Sequence, residues 1–409
     1  MSTSPAMVDQ LRAPTGDEGR GVSRARALGY AGVVVGILAL FVCVPPIALR
    51  TWVPSLLLGV VACGLGVAAI RAGDRRAGVY AIVAGVLGFA IGLLATTAQM
   101  SDLDAVVSWG ALAAATLRYA TPLLFAALGG LVSERSGVVN IGLEGMILMG
   151  AFFAALGADK LGNWVFGIIV GTLAGMALAL VLAIFAVSLQ ADQIVTGTAL
   201  NFLALGLTGY LYVDIYGEQG TPDSLSRVPD VNLPISSVPF FGDAIGSLNL
   251  LVWLALATCV LVWLFVFRTA RGLRLRSVGE NPRAAETVGI SVYATRYAAV
   301  IASGGLAALG GAFLSIGFVG SFTQNMSAGR GFIALAALIF GAWKPYGALA
   351  ATLLFGFSSA LAQRLPAFSD SAATLFQALP YVLTLIVVAG VIGRSVAPAA
   401  DGVPYKKSA

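Results

Sequence analysis

The feature that most limits the folds open to this chain is a series of long apolar runs separated by short polar loops. Ten runs are long enough, or nearly so, to cross a bilayer: 29–49, 52–70, 78–98, 108–132, 139–157, 164–189, 194–213, 249–267, 297–319 and 374–393. Two shorter runs, 331–343 and 347–362, are compatible with three structures: two separate helices, a re-entrant hairpin or a broken helix. Because a span needs about 20 apolar residues, we predict an all-α polytopic membrane protein with about ten to twelve transmembrane helices.

Composition excludes most enzyme chemistry. Hydrophobic residues make up 58% of the 409 residues and charged residues 11%, against roughly 45–50% and about 25% in soluble domains. Histidine, a common general base and metal ligand, is absent. We therefore expect no catalytic residues, no metal site and no enzymatic activity. The net charge of +5 is dispersed over loops, which indicates contact with membrane lipid and argues against nucleic acid binding.

Charged residues also predict the orientation of the chain. Loop 214–248 carries five acidic residues and one arginine, whereas loop 268–296 carries six arginines and two glutamates. Because cytoplasmic loops retain arginine and lysine, loop 268–296 is expected in the cytoplasm, together with both termini. We expect a multi-pass protein of the bacterial plasma membrane.

The chain is expected to have four parts. These are a disordered cytoplasmic tail, three additional N-terminal transmembrane helices, a core and a second cytoplasmic tail, at 1–28, 29–105, 106–394 and 395–409. Within the core, two glycine-broken stretches, Gly137–Met146 and Gly329–Leu338, enter the membrane from opposite sides. Such a pair is typical of inverted repeats that flank a transport path, although shared apolar composition or helix packing would also explain it.

The arginine-rich loop encodes a short helix with both of its ends. Asn281 suits the N-cap, Pro282 the first helical position and Gly289 the left-handed residue after the last turn. The helix would be on the order of 10 Å long. A rigid peg of this kind can receive force from a soluble motor, and it can equally be an ordinary capped helix in a loop.

Stretch 271–290 resembles the coupling-helix region of importer permeases in the branched-chain amino acid and simple-sugar group of the ATP-binding cassette (ABC) superfamily. Stretches 120–146 and 191–201 resemble the nucleoside-importing branch of that group. The resemblance covers roughly 116–393 and implies an importer-type ABC permease with an inverted-repeat core. It also implies that the chain is the transmembrane permease subunit of a nucleoside importer. The first hundred residues depart from it.

The resemblance implies three kinds of partner: a second permease subunit, a cytoplasmic ABC ATPase and an extracytoplasmic substrate-binding lipoprotein. No glycine in the chain is followed by lysine, so the phosphate loop of an ATPase is absent. We expect ATP and Mg on the partner ATPase and no cofactor on this chain, and we interpret Ser303–Gly305 as a helix-packing triplet. The residues expected to couple to the ATPase are Gly279, Glu280, Asn281, Pro282, Arg283, Ala284, Glu286 and Gly289.

Polar side chains at membrane depth are candidates for the transport path because their burial is costly. Neutral amides and aromatic faces suit sugar hydroxyls and base edges. The candidates are Asn140, Glu144, Gln193, Asn201, Phe322 and Gln324. For each amide the alternative is a hydrogen bond between helices. For Glu144 it is a structural pair with an arginine such as Arg135.

Three other functions stay open at this point. A simple-sugar permease would share the resemblance. An ion-coupled secondary transporter would need acidic residues or a sodium site inside the spans, where Glu144 is nearly alone. A membrane-embedded enzyme lacks histidine and a clustered carboxylate pair.

Overall fold

The computed structural model describes residues 24–42, 51–97, 109–217, 220–222, 225–234, 238, 240–364 and 396–406. Almost all of these residues that lie in regular structure are helical, so the all-α prediction is confirmed. The apolar run 374–393 and residues 1–23 of the predicted tail lie outside the described residues. The chain divides into two compact units, Met1–Val107 and Ser108–Ala409.

Within its described residues, the first unit contains three helices, α1 (Arg24–Val42), α2 (Val53–Arg71) and α3 (Arg75–Thr97). Residues 24–28, predicted to belong to the tail, are the first turn of α1, because the helix extends beyond the apolar run that predicted it. The buried Ser55 hydroxyl of α2 donates to the carbonyl of Ala39 on α1 (2.8 Å) and lies 3.2 Å from that of Gly88 on α3. This one hydroxyl therefore contacts all three helices.

The second unit contains eleven helices and one small two-stranded antiparallel sheet within the described residues. They are α4 (Trp109–Glu134), α5 (Leu143–Lys160), α6 (Trp164–Ala183, continued as a π-helical turn to Ser188), α7 (Gln193–Tyr216), β1 (Asp230–Asn232), α8 (Phe241–Ile245), β2 (Ser247–Asn249), α9 (Leu250–Arg268), α10 (Ala270–Glu280), α11 (Pro282–Thr287), α12 (Val292–Ala312, continued as a π-helical turn to Val319), α13 (Arg330–Phe340) and α14 (Pro345–Arg364). The two strands of this sheet pair Asp230 with Asn249.

Seven helices of the described residues are long and apolar enough to cross a membrane: Val53–Arg71, Trp109–Glu134, Trp164–Ser188, Gln193–Tyr216, Leu250–Arg268, Val292–Val319 and Pro345–Gln363. The two short apolar runs behave differently from each other. The second run forms the full-length α14, whereas the first forms α13, whose 11 residues are about 16 Å long. Alone, α13 covers only part of a bilayer.

Helix α12 lies at the centre of the second unit and packs against α4, α5 and α6. Its glycines let the backbones approach closely, since a Cβ atom at Gly304 would lie 2.5 Å from the carbonyl oxygen of Gly175 on α6. Likewise, a Cβ atom at Gly129 of α4 would lie 2.6 Å from the carbonyl oxygen of Ser303. The interpretation of Ser303–Gly305 as a packing triplet is therefore confirmed.

Candidate functional site

Two irregular segments interrupt the helices of the core, the first break (135–142) before α5 and the second break (320–329) before α13. They meet through Glu144 in the first turn of α5, whose carboxylate accepts hydrogen bonds from the backbone N–H groups of Gly329 (2.7 Å) and Gly331 (2.6 Å). The first N–H groups of a helix have no partner within the helix and favour negative charge. Glu144 therefore joins the start of α5 to the start of α13.

Two amide side chains of α7 hold the backbone around the first break. The Gln193 Oε1 atom accepts from the Val139 N–H (2.8 Å). The Asn201 Oδ1 atom accepts from the Gly145 N–H (2.8 Å), and its Nδ2 group donates to the Ile141 carbonyl (3.0 Å). Backbone polar groups that leave a helix need partners when buried, and α7 supplies them here.

Asn140 is fully buried within the first break. Its Nδ2 group donates to the Ser303 hydroxyl of α12 (2.8 Å). Its Oδ1 atom and the Nε2 group of Gln193 are buried with no hydrogen-bond partner among the described residues. Buried polar atoms are rarely left unpaired, so each of these two atoms has hydrogen-bonding capacity left for a polar partner.

The second break carries the other two path candidates, in different surroundings. Phe322 is 1% exposed, and its ring centroid lies 5.1 Å from that of Phe152 on α5 and 5.5 Å from that of Tyr212 on α7. Gln324 is exposed. The structure thus brings Asn140, Glu144, Gln193 and Asn201 together around the first break, and it places Phe322 in a separate aromatic cluster further along α5.

The expected pairing of Glu144 with Arg135 is wrong. Arg135 donates from Nε (3.1 Å) and Nη2 (2.8 Å) to the carbonyl of Trp343, in the turn between α13 and α14. The neighbouring Glu134 accepts from the Trp343 indole (2.5 Å). The first break separates Arg135 from Glu144, so the two residues do not share a helix face.

The short helix expected in the arginine-rich loop is present as α11. The Asn281 side chain accepts from the Ala284 N–H (3.0 Å), Pro282 is the first helical residue, and Gly289 has a φ of +80°. Ala285 is the buried residue of α11, while the next residue after the helix, Val288, is 73% exposed. The remaining outward side chains are those of Arg283, Ala284 and Thr287.

Three of the residues expected to couple to an ATPase contact other parts of the chain, and of these three Glu280 is also exposed. Gly279 packs against the Arg135 carbonyl so closely that a Cβ atom would not fit. The Glu280 carboxylate accepts from the Ala399 N–H (3.3 Å), and Glu286 accepts from the hydroxyl of Tyr405. Sequence reasoning missed Tyr405, because a lone tyrosine in a polar tail carries no pattern.

Comparisons with known proteins agree with this architecture. The family model described as branched-chain amino acid transport system / permease component matches residues 112–388. The guanosine ABC transporter permease protein NupQ of Bacillus subtilis is 42% identical over 75% of this chain and 99% of its own length. The nucleoside ABC transporter permease protein NupC of Lactococcus lactis is 42% identical over 71% of this chain and 95% of its own.

A putative glucose ABC transporter permease protein of Haloferax volcanii, TsgC13, is 39% identical over 61% of this chain and 76% of its own length. No solved structure matches the chain. The relatives are permease subunits, which indicates a non-enzymatic role within a system that has other subunits. The family match and the apolar helices together show that this chain is a multi-pass membrane protein of the ABC transporter permease family.

Proposed function

We propose that this chain is the transmembrane permease subunit of an ATP-driven importer of nucleosides. The observation that carries the proposal is its 42% identity to a guanosine permease over 99% of that protein and to a nucleoside permease over 95% of that protein. The partners proposed are a second permease, an ABC ATPase that binds ATP and Mg, and an extracytoplasmic lipoprotein. Both termini and α11 lie on the cytoplasmic side in this proposal.

The buried amides around the first break line the proposed solute path. The free Oδ1 atom of Asn140 and the free Nε2 group of Gln193 offer one acceptor and one donor. Nucleosides present neutral donors and acceptors on both base and ribose, so an uncharged pair of this kind suits them. Glu144 and Asn201 take a different role in this proposal, because their polar atoms already bind backbone groups of the two breaks.

The second break contributes aromatic surface to the path. Phe322 and Phe152 meet edge to face, and separation of the second break from α5 would expose both rings to a base, which is flat and apolar on its faces. Gln324, on the exposed part of the same break, would then be the first amide that a solute meets.

The coupling surface is the outward side of α11 and the residue that follows it. Arg283, Ala284, Thr287 and Val288 face away from the chain, whereas Asn281, Pro282 and Gly289 define the ends of the helix. In this proposal Gly279, Glu280 and Glu286 attach α11 to the permease instead of binding the ATPase.

Uptake by the assembled complex in liposomes tests the proposal. We expect ATP-dependent accumulation of guanosine and of a pyrimidine nucleoside such as cytidine, with little uptake of glucose. Glucose uptake without nucleoside uptake would favour the sugar permease that the 39% identity to a putative glucose permease suggests. Accumulation by this chain alone, with an ion gradient and no ATPase, would show a secondary transporter and contradict the proposal.

A further inference from the structure

Residues 396–406, here named the strap, pack against other elements of the second unit. The Ala400 N–H donates to the Gly279 carbonyl at the end of α10 (2.8 Å). The Gln190 side chain, just before α7, donates to the Tyr405 carbonyl (3.2 Å). The strap thus lies across two elements that are far apart in sequence.

Tyr405 fixes the strap to α11. Its hydroxyl donates to the Glu286 carboxylate, and its ring centroid lies 5.8 Å from that of Tyr293 at the start of α12. The side chain is 6% exposed and packs with Ala285, the buried residue of α11. Burial, together with the hydrogen bond to Glu286, raises the pKa of Tyr405 to about 12, so its hydroxyl stays protonated and able to donate.

The other side of the strap contacts the first break. Arg296 of α12 is 1% exposed, and it donates from Nε to the Ser136 carbonyl (3.2 Å) and from Nη1 to the Val403 carbonyl (3.0 Å). A Cβ atom at Gly137 would lie 2.9 Å from the Ala400 carbonyl oxygen. One guanidinium therefore bridges the strap and the segment that leads to Asn140.

We propose that the strap is a positioning element that carries the movement of α11 to the first break, and that Tyr405 is its positioning residue. The inference rests on the proposed function, in which an ATPase moves α11. Helix α11 has only six residues, and residues 288–291 separate it from α12, which would let it turn independently of α12. With Glu286 bound to Tyr405, a displacement of α11 also displaces the strap and, through Arg296, the backbone beside the solute path.

The test replaces only the hydroxyl. Tyr405→Phe keeps the ring contact with Tyr293 and removes the hydrogen bond to Glu286. Tyr346→Phe is the matched control, because Tyr346 is 48% exposed on α14 and lies outside the strap. Both variants are assembled with the partner subunits in liposomes, and guanosine uptake and ATP hydrolysis are measured together. We expect Tyr405→Phe to assemble and hydrolyse ATP, with guanosine carried per ATP reduced by roughly three- to tenfold, and Tyr346→Phe to match the parent.

A double variant shows whether Tyr405 acts through Glu286. If it does, the double variant Tyr405→Phe with Glu286→Ala will carry as much guanosine per ATP as Glu286→Ala alone. Glu286→Ala already removes the hydrogen bond between the two residues, so Tyr405→Phe has nothing further to remove. The inference would be overturned if the double variant lost guanosine carried per ATP by the product of the two single losses. It would also be overturned if Tyr405→Phe carried as much guanosine per ATP as the parent. Failure of Tyr405→Phe to assemble while Glu286→Ala assembles would also overturn it, by showing a role in folding. Absence of ATP-dependent uptake in the parent complex would instead count against the proposed function.

Discussion

At the scale of single residues, the polar side chains of the apolar core bind backbone atoms that the two breaks leave outside regular helices. Gln193 and Asn201 bind the first break, and Glu144 binds the N–H groups at the start of α13. A buried donor or acceptor that loses its partner costs about 1–3 kcal/mol. These side chains therefore stabilise the irregular backbone of the two breaks.

Replacement of Glu144 by Gln should destabilise the protein more than a charge change at its surface. The amide retains one acceptor oxygen for two N–H groups and removes the negative charge at the start of α13, so we expect a loss of about 1–3 kcal/mol. The measurement is the thermal unfolding midpoint of the purified chain. Asp214→Asn, at an exposed position on α7, is the control. Equal midpoints for the two variants would show that Glu144 does not hold α13.

Sequence could identify these polar residues but not their partners. A glutamate or an amide in an apolar run is easy to identify in the sequence. The partner of Asn201 is not, because only the tertiary fold brings the N–H group of Gly145 next to it. The expected Arg135–Glu144 pair failed for the same reason. Arg135 binds the Trp343 carbonyl, and Glu144 binds the N–H groups of Gly329 and Gly331, and only the tertiary fold brings these backbone groups near the two side chains.

At the scale of elements, α11 was predictable because its signals are local. Asn281, Pro282 and Gly289 lie within nine residues of one another, and each acts on the backbone next to it. The strap was not predictable, because its stability comes from contacts with α10, α11 and α12. The length of α13 was equally hidden, since a hydropathy pattern does not show where an apolar run leaves the helix.

The outward side of α11 should be sensitive to charge if it contacts the ATPase. Val288→Asp places a carboxylate on a side chain that is 73% exposed, so the fold of the permease should be retained. We expect at least a tenfold loss of ATPase that copurifies with it, because an unpaired charge buried at an interface costs about 2–5 kcal/mol. Leu161→Asp, at a position 55% exposed outside the proposed contact, is the control. Normal ATPase recovery with Val288→Asp would remove this surface from the interface.

The attachment of the strap should weaken as pH rises. Burial raises the pKa of Asp401 to about 7, although the Gly402 N–H and the Arg296 guanidinium act in the opposite direction. The folded state therefore holds a proton that the unfolded state releases above its ordinary pKa near 3.8. The stabilisation is complete below that value and is lost as pH rises through about 7.

Hydrogen exchange of the strap amides measures this dependence. We expect exchange, corrected for its intrinsic pH dependence, to increase from pH 5 to pH 8 in the parent chain and to change much less in Asp401→Asn, which cannot ionise. Arg296 of α12 and Glu134 of α4, the charged groups beside Asp401, are present in both proteins. An identical pH dependence in the two proteins would assign the effect to Glu134 instead.

At the scale of the whole molecule, the all-α polytopic architecture followed from the lengths of the apolar runs, and the family followed from motifs between residues 120 and 290. The apolar runs predicted the three helices of the first unit, whereas the family motifs had no counterpart there. The family match begins at residue 112. The alignment with the guanosine permease NupQ includes 75% of this chain and 99% of NupQ. A complete relative therefore corresponds to the second unit with little in addition.

A chain that begins at Ser108 should consequently assemble and transport. Helices α1–α3 form their own compact unit, in which Ser55 and close glycine contacts hold the three helices to one another. We expect the shortened chain to recover its partner subunits and to carry guanosine per ATP at a ratio close to that of the full chain, since the family match lies wholly outside the first unit. Coexpression of both forms with the same partners, followed by uptake in liposomes, provides the measurement. A shortened chain that inserts into the membrane normally but does not transport would contradict this prediction. It would show that the first unit is needed for transport itself and not only for insertion.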